Sequence, residues 1–307
     1  MKIYRFYILG IAALLTACSA SEQHEAYDTP LSDLPISLGF EDIVETRAVS
    51  YFDTNANVDV FIKENNGNKN YGRLVAVAAA NHSLTLSPTQ YWPAENGINI
   101  YSWYPSGYVG TNIDATDVTF TVAADQTGGW TTNDLLFGKP VRVGTTTAAN
   151  PIDRTGEVIT LGYNHVMSKV SITLNKGETG ITDNDLKGVI VSMTSVLPDA
   201  ELNLKTGVIT SSGTPSALIV YKRNDSGVAS GGTWIMPPQS LEGKAMRVAL
   251  ANGAVYSYIF KNTDGMVEAG KEYTYTLTLK TTDIEMSATV RPWEGGTTAI
   301  IGDALMP

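Results

Sequence analysis

The sequence predicts an all-β protein, a sandwich or a barrel, and three observations predict it. Thr, Val, Ile, Tyr, Gly and Asn abound, while charged residues make up only 17% of the 307 positions. Turn-forming residues recur roughly every ten positions, the spacing of short antiparallel strands. No stretch keeps a helical period over three turns. A chain of this length can bury two separate cores.

The strands are legible in order. Within "PISLGFEDIVETR" Ile36, Leu38 and Phe40 share one face, which Val44 continues beyond Asp42. "VDVFI" (58–62), "LTL" (84–86), "INIYSWY" (98–104) and "VTFTV" (118–122) follow, each bounded by Asn, Gly, Pro or Asp. Val118, Phe120 and Val122 alternate with Thr119 and Thr121, the pattern of a half-buried strand. "DLLFGKPVRV" (134–143) and "HVMSKVSITL" (165–174) are expected to close this first group. The polar, turn-rich "NKGETGITDNDLKG" (175–188) reads as a linker. A second series then runs through 189–196, 200–204, 217–221, 233–237, 246–251, 255–260 and 272–280, with "NGA" (252–254) as a hairpin signal. The expected division is therefore 36–178 and 179–307.

The N-terminus reads as a targeting segment. Lys2 and Arg5 precede an apolar stretch too short to span a bilayer, which ends in Leu15-Thr16-Ala17-Cys18. These residues match a bacterial lipobox, in which the cysteine thiol accepts diacylglycerol and small residues precede the cleavage point. Cys18 is the only cysteine, so it has no disulfide partner. Residues 1–17 are thus expected to be a signal peptide, and 18–35 a lipidated, acidic tether on a membrane. Without Lys2 and Arg5 the chain holds 19 basic against 31 acidic residues, or −12, which argues against nucleic acid as a partner.

No catalytic constellation emerges. His24 lies in the tether, His82 in "AANHS" and His165 at a strand start, none in a nucleophile or metal motif. His165 is expected to pack or to hydrogen-bond. Asp183, Asn184 and Asp185 lack the closing glutamate of a calcium loop and read as a solvated turn. A glycoside hydrolase would need two carboxylates facing one cleft. No enzyme, cofactor or metal is expected. Trp92 in "YWP" and Trp103 in "YSWYP" could stack on sugar rings, or could plug the ends of a β-core.

Several fragments in order carry a family resemblance: "TRAVSYF" (46–52), "YWP" then "YSWYP", "DLLFGKP", "LGYNHVMSKVSITL" (161–174), "MPPQ" (236–239), "VEAGKEYTYTLTLK" (267–280) and "VRPWEGG" (290–296). Together they resemble the fimbrillin, or type V pilin, family of Bacteroidia. The resemblance implies two consecutive transthyretin-like β-sandwich domains, export as an outer-membrane lipoprotein, and assembly into a fimbria that supports adhesion. It also implies an arginine-specific protease that removes the N-terminal strand, so that a strand from another subunit fills the vacated groove. Carried onto this chain, the cut falls between Arg47 and Ala48, and the removable strand is Ile36, Leu38, Phe40 and Val44. Losing residues 19–47, with seven acidic residues and one basic, takes the chain from −12 to −6 and eases contact between like-charged subunits. Residues 297–307 are a candidate donor strand, with Ala299, Ile301 and Leu305 alternating around Asp303. The alternative is a membrane-anchored carbohydrate-binding lipoprotein using Trp92 and Trp103.

Overall fold

The computed structural model describes residues 34–41, 54–107, 117–129, 131–177, 180–222, 231–261, 265–280 and 284–293. Cys18, Val44, Arg47, Ala48, Ala299, Ile301 and Leu305 lie outside them. The described residues are all-β, with one 3-10 turn at Thr131–Asn133.

The strands of the first half are β1 (Leu38–Glu41), β2 (Asn57–Glu64), β3 (Asn70–Ala78), β4 (Ser83–Leu86), β5 (Ile98–Tyr104), β6 (Asp117–Thr121), β7 (Leu136–Val143), β8 (Thr146–Thr147) and β9 (Ile159–His165). Next come β10 (Ser168–Lys176), β11 (Ile190–Val196), β12 (Asp199–Asn203), β13 (Ile209–Ser212), β14 (Ser216–Lys222), β15 (Gly231–Met236) and β16 (Gln239–Ser240). The last are β17 (Ala245–Ala249), β18 (Val255–Ile259), β19 (Met266–Val267), β20 (Lys271–Leu279) and β21 (Ile284–Pro292).

The first sheet runs β5-β2-β3-β4-β1-β9-β7, and β7 pairs back onto β5, so the seven strands close into a ring with β8 folded onto β7. Closure removes the free edges that would otherwise template aggregation. One apolar cluster fills it, built from alternate residues such as Val58, Val60, Ile62, Ile98, Ile100, Ile159 and Leu161. Close packing there needs glycine: a Cβ on Gly138 would sit 2.5 Å from the ring of buried Tyr163.

The second half packs sheet β15-β10-β20-β21 and sheet β14-β11-β17-β18 around a second cluster that includes Val170, Ile172, Val191, Met193, Trp234 and Leu277. Trp103, Phe61 and Phe137, whose side chains leave the ring on its outer face, join this cluster.

Two strands expected in the first group belong here instead. β10 pairs parallel with β20 and antiparallel with β15, and β6 pairs with β12. Pairing changes over between His165 and Ser168, so a division at 178/179 would sever β10 from both neighbours. The physical reason is that Val170, Ile172 and Leu174 fit the apolar row of Tyr273, Tyr275 and Leu277, a match across a hundred residues that local composition does not reveal.

One end of the sandwich is closed by a side chain. The Gln126 amide donates to Ile235 O at 2.7 Å and accepts from Ile235 N–H at 2.8 Å, imitating a strand neighbour for β15. Its own backbone N–H donates to Ile219 O of β14 at 3.0 Å, tying the two sheets together. Gln126→Ala would leave both Ile235 groups buried and unpaired, so the urea midpoint should fall by the equivalent of about 1–3 kcal/mol.

Candidate assembly groove around the first strand

β1 is a short segment with an unusual position. It fills the gap between β4, to which it is antiparallel, and β9, to which it is parallel. Leu38 lies opposite Leu84 on one side and Ile159 on the other. The β1–β9 pairing is the single parallel one in the ring.

The alternation read in the sequence is realised. Ile36, Leu38 and Phe40 are buried in the ring's cluster among Leu84, Leu86, Ile159 and Leu161. Burying three such side chains contributes roughly 5–9 kcal/mol before ordering costs. The fourth expected member, Val44, lies outside the described residues.

Backbone bonds set the register. Ile36 N–H donates to Gln90 O at 2.8 Å and Phe40 N–H to His82 O at 2.9 Å, while Ile159 N–H donates to Ser37 O at 2.9 Å. Ahead of β1, Trp92 N–H donates to Leu34 O at 3.0 Å, and Pro35 forms an isolated bridge to Tyr91. On the outer side, a Cβ at Gly39 would meet His82 O at 3.1 Å and Val158 Cγ1 at 3.2 Å. Glycine there lets both neighbours close over the strand. Glu41 ends the element in an exposed ion pair with Arg142 of β7, a contact that stabilises by a fraction of a kcal/mol in water.

The other sequence-derived residues fall elsewhere. Trp92 is 1% exposed and Trp103 2%, so neither offers a ring face to a sugar; they plug the two clusters, and the stacking role is corrected. His165 hydrogen-bonds Asp134 through Nδ1 at 3.0 Å and stacks on Trp293 at 3.9 Å, a packing role. Burial pushes the Asp134 carboxyl above its usual range, partly offset by the His165 hydrogen bond. Asp183 pairs with Lys176, and Asp185 accepts from Thr182 in an exposed turn. Among the described residues no three His, Cys, Asp or Glu side chains cluster as metal ligands.

A model of the fimbrillin-like family matches residues 46–293. The chain belongs to the fimbrillin-like family. This fimbrillin-like chain is 26% identical over 157 residues to a protein of Bacteroides uniformis named as a candidate fimbrium subunit, Fim1C. That match spans 47% of the chain and 48% of the relative, so the chain spans about half the length of the curated relative it matches. A solved candidate cell adhesion protein from Bacteroides uniformis superposes with a TM-score of 0.65 at 21% identity, over 85% of this chain and all of that one. Another, from Bacteroides ovatus, gives 0.62 at 16% identity, over 85% and 98%. These two likenesses speak for the fold.

One structural feature beside the ring had no sequence signal. Asp59 reads as the polar position of "VDVFI", yet it is fully buried. Its carboxylate pairs with Arg73 at 3.0 Å and accepts from Ser106 Oγ and Gly107 N–H, both at 2.9 Å. It thereby fixes the loop that leaves β5. Beside it Ser102 Oγ donates to Asp59 O at 2.7 Å and lies 2.6 Å from the Tyr163 hydroxyl. Burial raises the Tyr163 pKa beyond the ordinary tyrosine range.

Proposed function

We propose that this chain is a structural subunit of a cell-surface fimbria, exported as an outer-membrane lipoprotein precursor through Cys18, and that β1 is a placeholder. In this reading an arginine-specific protease cuts between Arg47 and Ala48, and the strand carrying Ile36, Leu38, Phe40 and Val44 leaves. An extended segment of another subunit takes its place, and repetition builds a filament that supports adhesion.

The observation that carries the reading is the insertion of β1 between β4 and β9. Loss of a strand from the interior of a ring opens a slot one strand wide. Its walls are two free edges, and its floor is the apolar surface of Leu84, Leu86, Ile159 and Leu161. Such a slot cannot stay empty in water, and an incoming strand regains ladder hydrogen bonds and side-chain burial together. The candidate donor is 297–307, whose Ala299, Ile301 and Leu305 offer the alternation that the slot requires. Family membership and the resemblance to a fimbrium subunit support the same role. The two consecutive β-domains implied by the family fit the two apolar clusters.

The test is limited digestion of residues 19–307 with an arginine-specific protease, followed by mass measurement and native electrophoresis. One early cut after Arg47, then a ladder of oligomers that survives without heating, is expected. Deleting 297–307 should leave the cut and abolish the ladder. A monomer after cleavage, or an Arg47 that resists while other sites are cut, would overturn the proposal.

A further inference from the structure

The free strand edges of the second half are treated unequally. The β14 and β15 end is covered by Gln126. β21 carries Glu285 and Arg291 and finishes at Pro292, the residue types that discourage edge pairing. β18 packs beside β21 across the sandwich, yet its own sequence carries none of these residue types. It reads Val255-Tyr256-Ser257-Tyr258-Ile259, without charge, proline or register shift, and among the described residues it pairs only with β17. Val255 is 49% exposed and Ile259 62%.

This strand also reads nearly the same in both directions about Ser257. We propose that β18 pairs antiparallel with β18 of a second copy across a two-fold axis at Ser257, joining two four-stranded sheets into one of eight. Val255 then faces Ile259 of the other copy, Tyr256 faces Tyr258, and the small Ser257 faces itself. On the outer surface the existing cross-strand row Ile190, Ala249 and Val255 continues into Ile259 and Ala245 of the second copy. On the inner surface the half-buried tyrosines already pack on the core. Cross-strand pairs of like shape are the unit of sheet stabilisation.

Charge does not oppose this register. The one like-charged pair on the axis row, Arg247 with its counterpart, stays roughly 14 Å apart, three strand spacings, beyond a Debye length of about 8 Å. A single five-residue edge buries well under the ~1,600 Å² of a standard interface, so the contact is a weak, isologous dimer. It gains strength where many copies are held together, as in side-by-side filaments. The inference itself does not rest on strand replacement.

The experiment uses uncut residues 19–307 and no protease, so its outcome is separate from the fate of the assembly reading. This segment lacks cysteine, because Cys18 is the only one in the chain. Ser257→Cys introduces a lone thiol on the axis. Residues directly opposite in an antiparallel pair have Cα atoms about 4.5–5.5 Å apart, inside the range a disulfide spans. Mild oxidation should give mainly covalent dimer, whereas Ser287→Cys, on the other edge strand, should stay monomeric. Equal cross-linking of the two, or none at Ser257→Cys in a folded protein, would overturn the proposal. By sedimentation, Val255→Lys combined with Ile259→Lys should weaken dimerisation by at least about tenfold with the fold intact, since both side chains are exposed. An unchanged dimer constant would also overturn it.

Discussion

Phe40→Ala in residues 19–307 should lower the stability of the uncut chain by about 3–5 kcal/mol, read from the urea midpoint. Phe40 is buried near the end of β1, its N–H bonds to His82 O at 2.9 Å, and its ring lies 5.0 Å from the His82 ring. Truncation leaves a cavity that the neighbours can fill only in part, because β4 and β9 are held by their other partners, β3 and β7. The placeholder reading adds a sharper expectation. Once cleaved after Arg47 and assembled, the variant no longer contains residue 40, so its oligomers should match those of the unaltered chain. A stability deficit that persists after cleavage would mean that β1 remains in place, and strand replacement would fail with it.

Asp59→Ala should cost about 3 kcal/mol or more, and Asp59→Asn distinctly less. The carboxylate is fully buried and joins Arg73, Ser106 Oγ and the Gly107 N–H. Removing it strands three donors at once, and hydrogen bonds to a charged acceptor contribute more than neutral ones. Arg73 keeps a side chain 27% exposed, so water recovers part of its loss, which holds the cost toward the lower end for a broken buried pair. An amide at 59 retains one oxygen acceptor for the loop. Combining Asp59→Ala with Arg73→Leu should cost less than the sum of the single changes, because no charge is left behind. Equilibrium unfolding of the four proteins measures this directly; additive effects would sink the coupling.

Much of the strand list was legible because alternation is local. Val118–Val122, Tyr273–Leu279 and the Asn252–Ala254 hairpin follow from residue order, and the structure has them as β6, β20 and the β17–β18 turn. β3 is hidden in the sequence because Gly72, Arg73 and its alanines blur the period, and β21 because it is largely exposed. The burial of Ile36, Leu38 and Phe40 was likewise readable, since three apolar residues at a spacing of two can share only one face.

What the sequence by itself determined was the all-β class, the apolar face of the first strand and the family. Which strands meet was decided only by the tertiary structure. That β1 lies between β4 and β9, that β7 closes on β5, that β10 joins β20, and that the buried Asp59 carboxylate meets Arg73 are pairings between distant segments. Their energy comes from complementary side-chain rows and from polar groups that water no longer reaches. Neither exists until the segments are brought together, so no local pattern can carry the information.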